Sequence, residues 1–150
     1  MTFWLDLGGV AVRSDRNFPA KDIASPSAAI RIGHVLSVIV IMLLFADAVA
    51  QLVSLPVLRA EVEASGFPFA LSPVVGTITM TCVVLYAAPR TAVLGAILLT
   101  GFLGGAICLH LRLNEIGSPP QIVCLTLGVM AWGGLYLRDP RLRALLPFRA

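Results

Sequence analysis

Charge is what this sequence has least of. Only 13% of its 150 residues are Asp, Glu, Lys or Arg, while 58% are hydrophobic. Soluble domains run near about 25% charged and about 45–50% apolar. The imbalance excludes both a disordered chain and an ordinary water-soluble domain. Cysteine is sparse too. Cys82, Cys108 and Cys124 stand in apolar runs with no C-x-x-C pair, which excludes a secreted disulfide framework and a zinc signature, and they read as small packing residues. The two histidines, His34 and His110, lie at opposite ends of different apolar segments, which argues against bis-histidine haem ligation. The P-loop, the dinucleotide glycine motif, H-E-x-x-H and G-x-S-x-G are all lacking. No catalytic constellation stands out. The net charge of +3 is spread along the flanks of apolar runs, not gathered into a nucleic-acid surface.

What is present is long apolar sequence. From Ile32 to Leu55 only Asp47 is charged, and at about 1.5 Å per residue this stretch covers about 36 Å, enough to cross a hydrocarbon core of about 30 Å with some tilt. Further spans are expected over residues 71–88, 91–113 and 121–137. Between the first two, "PVLRAEVEASGFPFALS" (Pro56 to Ser72) reads as a short interfacial helix ended by a turn at Gly66. In lipid every backbone polar group needs an internal partner, so the spans are helices. Short connections give an all-α, integral membrane, antiparallel four-helix bundle. Residues 1–29 lack the pattern of a cleaved signal peptide and read as a cytoplasmic tail or an overextended start; residues 30–147 form the membrane domain.

The basic residues orient the bundle. Arg13, Arg16, Lys21 and Arg31 precede the first span, Arg90 lies between the second and third, and Arg138, Arg141, Arg143 and Arg149 follow the fourth; only Arg59 and Arg112 fall at the other end. The positive-inside rule places both termini in the cytoplasm. Tyr86, Trp132 and Tyr136 then fall where an inner aromatic belt is expected.

Ionisable groups inside a membrane are costly, by about 2.5–3.5 kcal/mol on insertion scales, and mark functional candidates. Asp47, Gln51 and Ser54 lie within about 60° of one another on a helical wheel, a polar stripe in the outer half of the first span. It reads either as the wall of an outward-facing pocket or as a protonated, hydrogen-bonded packing site. Thr77 and Thr81 share a face, where bonding to the helix backbone or a neighbouring helix is usual. In the third span Thr100, Gly101, Gly104, Gly105 and Cys108 form a seam of small residues suited to close helix approach. His110 lies about 180° from Gly101, on the side of Leu99, Leu103 and Ala106, and Arg112 lies on the seam side near the outer end. His110 either joins the polar pocket or snorkels to the headgroups. Cys108 and Cys124 fall at matching depths; whether they pair depends on Cα separations.

"LYAAPRTAVLGAILLTGFLGGAICLHLR" (Leu85 to Arg112), "WGGLYLRDPRLRALLP" (Trp132 to Pro147) and "GFP" (Gly66 to Pro68) together resemble the DoxX-like family of small bacterial four-helix membrane proteins. The matching positions are Pro89-Arg90-Thr91, Gly104-Gly105-Ala106 and His110. The resemblance implies a bacterial inner-membrane protein and supplies no catalytic residues. It implies, by analogy, an accessory or scaffold subunit of a membrane redox or stress-response complex, linked to quinone or thiol chemistry, with other membrane subunits or further copies of the chain as partners. The residues themselves also support a small-molecule binding or transport protein whose outward pocket holds Asp47, Gln51, Ser54, His110 and Arg112.

Overall fold

The computed structural model describes residues 26–145. Six α-helices follow one another: α1 (Pro26–Leu52), α2 (Arg59–Ala64), α3 (Ser72–Ala87), α4 (Ala92–Arg112), α5 (Pro119–Arg138) and α6 (Pro140–Leu145). Short 3-10 turns, Pro56–Leu58 and Phe69–Leu71, flank the α2 segment. Among the described residues four stretches are long and apolar enough to cross a membrane: Ser27–Leu52, Phe69–Ala87, Ala92–Arg112 and Pro119–Arg138. Each falls where the sequence places a span, within a few residues. Of the expected tail, residues 1–25 lie outside the described residues, and 26–29 are already the first turn of α1.

The ends follow from local chemistry. Proline fits the first helical turn, where the missing N–H would have no partner, and Pro26, Pro73, Pro119 and Pro140 all stand at helix starts. Pro89 follows the end of α3 and cannot continue it. Thr91 then turns its hydroxyl back and donates to the Leu85 carbonyl at 2.8 Å, one of the orphan acceptors that any helix end leaves. Asp139 caps α6, its Oδ1 accepting the Arg141 N–H at 2.9 Å. The "DP" at Asp139 and Pro140 is the sequence signal for this helix.

Helix α1 packs against α3 and α5, and α4 packs against the same two. Small residues occupy these contacts. The Cβ that Gly33 lacks would stand 2.8 Å from the Gly134 carbonyl oxygen; that of Gly76, 2.8 Å from the Leu52 nitrogen; that of Gly134, 2.7 Å from the Ser37 hydroxyl. At Gly95 it would collide with the Tyr86 backbone. The large apolar side chains point the other way: Val35, Val38, Met42, Leu43, Phe45, Ile78, Val84 and Ile97 are exposed. A soluble protein could not tolerate that surface, whereas lipid tails are as apolar as leucine and reward close helix approach instead.

Tyr86 is the polar centre of the packing and is fully buried. Its hydroxyl donates to the Ala131 carbonyl on α5 at 2.8 Å. With that single proton committed, Ser37 of α1, 3.1 Å away, is the donor to the tyrosine oxygen. Arg138 lies over the ring, 5.2 Å from its centre, and donates to the Tyr86 carbonyl at 3.2 Å. Tyr86 is therefore no belt residue. Its ring is wanted inside because four helices meet around it and its hydroxyl finds partners there. Thr77 and Thr81 donate to the carbonyls one turn earlier, at 2.7 and 2.8 Å, the bland outcome for threonine in a membrane helix.

Candidate functional site

Open space borders α4 at the end of the molecule that carries α2. A cavity of about 580 Å³ lies there between the start of α3 and the last three turns of α4, with the α2–α3 connection along one side and Gln51 of α1 at its back. Its walls are mostly apolar: Val62, Phe67 and Leu71 from the connection, Val75 from α3, Phe102 and Leu109 from α4. Glycine makes the space. Gly101 and Gly105 line the cavity, and a Cβ on either would meet no heavy atom within 4 Å. Cys108 lies on the same wall.

Four polar side chains, Ser65, Ser72, Gln51 and Arg112, interrupt the apolar lining, and Ser65 donates to the Val62 carbonyl at 2.6 Å. Ser72, at the start of α3, is 1% exposed, and its hydroxyl oxygen is buried with no hydrogen-bond partner among the described residues. Such orphans are uncommon and need a physical account. Gln51 turns its amide N–H to the Asp47 carboxylate at 2.7 Å. Arg112 stands at the mouth, exposed, with neither an ion pair nor a hydrogen bond among the described residues. Its guanidinium rests against the turn at Gly66, where an added Cβ would stand 3.0 Å from a guanidinium nitrogen. Gly66 has φ +78°, so glycine serves twice there: it makes the left-handed turn and leaves room for the cation.

The expected polar stripe is thus divided. Gln51 and Arg112 border the cavity; Asp47 sits one helical turn behind Gln51 and is exposed. Ser54, with φ +51°, closes the end of α1 through a long 3.5 Å contact to the Gln51 carbonyl. His110 lies on a different side of α4. It continues the line of Leu99 and Leu103, both buried, and its Nδ1 pairs with Glu115 at 2.8 Å. The side chain of His110 is 17% exposed against 49% for Glu115. The leucine side of α4 is the inward side, which composition alone leaves undecided between core and lipid. Ser72, Phe67 and Phe102 are wall residues that the sequence reading omits; the Ser72-Pro73 helix start is the signal that could have drawn attention to the first.

The seam residues border open space. Gly101, Gly105 and Cys108 line the cavity; Thr100 and Gly104 line a second, open groove of about 720 Å³ between α4 and α5. In that groove the Trp132 indole N–H donates to the Thr100 hydroxyl at 2.8 Å, and Thr100 in turn donates to the Ala96 carbonyl at 2.8 Å. Within the chain, close helix approach occurs at Gly33, Gly76, Gly95 and Gly134, not along this seam. All three cysteines are free thiols. Among the described residues no three His, Cys, Asp or Glu side chains gather into a metal-binding group.

Comparison with known families decides the relationship. The model of the DoxX-like family matches residues 35–134, from the third turn of α1 into the last turns of α5. The chain belongs to the DoxX-like family. Neither the curated proteins nor the solved structures contain a match to it. Membership together with four apolar helices of spanning length makes this DoxX-like protein a membrane protein. Its matched segment includes the whole cavity wall and the Tyr86 cluster apart from Arg138.

Proposed function

We propose that this DoxX-like protein binds a lipid-soluble small molecule in the cavity at its α2 end. The observation that carries the reading is an apolar space of about 580 Å³ whose polar side chains include a buried serine hydroxyl and an arginine with no partner among the described residues. Ligand sites usually measure about 300–1,000 Å³, with apolar walls and a few convergent polar groups. A cavity held only for packing would be expected to collapse or to satisfy its serine. The spans form an antiparallel bundle in a bacterial inner membrane, with both termini cytoplasmic. The uneven distribution of the basic residues supports that orientation, which opens the cavity towards the exterior face. Reporter fusions after Arg149 and within Arg59 to Ser65 test it; a periplasmic C-terminus reverses the cavity's direction.

The binding reading is tested by purifying the full chain from native membranes in a mild detergent and identifying what is extracted with it. Gly105→Phe fills the cavity, because the position of the added side chain is open. The expected result is a stoichiometric small molecule present with the wild-type protein and lost from the variant. Equal recovery from both refutes the site.

A second reading rests on a different observation. The seam of Thr100, Gly101, Gly104, Gly105 and Cys108 borders open grooves, and small residues on an uncovered helix face suit the approach of another membrane helix. In that reading the protein is an accessory subunit of a membrane redox or stress-response complex, or associates with further copies of itself. A quinone is the cofactor that the family analogy brings to the cavity. Affinity purification of wild type and Gly104→Leu discriminates the two readings: loss of co-purified subunits with the ligand retained supports assembly through the seam.

A further inference from the structure

We infer that the ligand is an anionic amphiphile, with its carboxylate or phosphate head at Arg112 and a single apolar tail or body in the cavity. The inference rests on the binding reading above and adds the chemical class. Arg112 is a fixed charge at the rim of an apolar space, with no partner among the described residues. A guanidinium presents five N–H donors in a planar fork that matches carboxylate and phosphate oxygens. Hydrogen bonds to such groups strengthen where water is partly excluded. Gly66 keeps the fork's place clear, since any side chain there would press on the guanidinium. A small free anion would use the arginine but gain nothing from Phe67, Phe102 and Leu109. A neutral hydrocarbon would use the walls and leave Arg112 without a partner among the described residues. One molecule carrying both features uses the arginine and the apolar walls together. The cavity volume is that of one drug-sized ligand, which favours one chain over two.

The experiment uses the full chain in nanodiscs of zwitterionic phosphatidylcholine and a fluorescent anthroyloxy-stearate probe. Competition is measured with oleate and lysophosphatidylglycerol, and with their uncharged or zwitterionic counterparts, oleyl alcohol and lysophosphatidylcholine. Charge-assisted hydrogen bonds of about 1.5–3 kcal/mol correspond to about a tenfold to hundredfold preference for the anionic competitors. Which of oleate and lysophosphatidylglycerol competes better identifies the head as carboxylate or phosphate. Arg112→Gln is expected to erase the preference while leaving the uncharged competitors as they were, and Arg112→Lys to restore part of it. Preference unchanged in Arg112→Gln overturns the head-group assignment and leaves the cavity standing. Gly105→Phe, with Gly101→Leu as an independent filler of the same wall, is expected to abolish probe binding. Unaltered probe binding in both fillers, or no saturable binding to the wild type, overturns the binding reading itself.

Discussion

Two identical substitutions on one helix separate packing glycines from cavity glycines. Gly95→Ala places a methyl group 2.7 Å from the Leu85 carbonyl carbon and closer still to the Tyr86 backbone. Carbon atoms in comfortable contact stand about 3.5–4.0 Å apart, so α3 and α4 must separate by about 1 Å. The obstacle is backbone, which cannot rotate away, and overpacking of this kind costs about 1–3 kcal/mol. Separation also draws Tyr86 from its partners on α1 and α5, adding to the loss. Gly105→Ala meets nothing within 4 Å and gains helix propensity, up to about 1 kcal/mol on scales from water-soluble helices. The propensity gain is common to both variants, so they should differ by the overpacking cost of about 1–3 kcal/mol, with Gly95→Ala below wild type and Gly105→Ala at or slightly above it. Unfolding in dodecyl maltoside micelles titrated with sodium dodecyl sulfate, followed by helical circular dichroism, reads the difference. Equal losses in the two variants, or a larger loss for Gly105→Ala, would mean that a second helix occupies the seam and that the cavity is not free space.

Two further substitutions report on other contacts. Tyr86→Phe removes a donor to Ala131 and an acceptor for Ser37; interhelical hydrogen bonds in membrane proteins average about 0.6 kcal/mol, so a loss of about 1–2 kcal/mol is expected, with a double-mutant cycle against Ser37→Ala returning a non-zero coupling. Additive effects in that cycle would contradict the shared hydrogen bond. Asp139→Ala removes the cap of α6 and should cost about 1 kcal/mol of local stability, seen as faster amide exchange over residues 141–145 with the four spans unchanged.

The spans were legible because each is a long apolar run closed by proline, glycine or charge, and because lipid leaves helix as the way to satisfy the backbone. Facing was harder to read. In water the apolar side of a helix is the inside, but in lipid both sides are apolar and that signal vanishes. Gly101 and Gly105 suggested an inward seam because small residues do line membrane helix contacts, as Gly95 indeed does on the same helix. Position along the helix, not residue type, separates the two roles. His110 was placed with Leu99 and Leu103, yet nothing local showed that those leucines face inward. Tyr86 looked like an interfacial anchor because aromatic belts are common, and its partners, 49 residues before it and 45 after, leave no local trace. Of the expected polar pocket, Gln51 and Arg112 could be read from their stripe and seam positions, whereas Ser72 joins them only through the fold.

The placement of Tyr86 also orders events during synthesis. Its carbonyl acceptor on α5 is 45 residues further along the chain, and the arginine that covers its ring is 52 residues further. When the first three spans have entered the bilayer, the hydroxyl can reach Ser37 but neither Ala131 nor Arg138 exists as a partner. Insertion of the last span supplies both at once and seals the cluster. A chain truncated before Pro119 would leave this tyrosine without its acceptor on the last span and without the arginine that covers its ring.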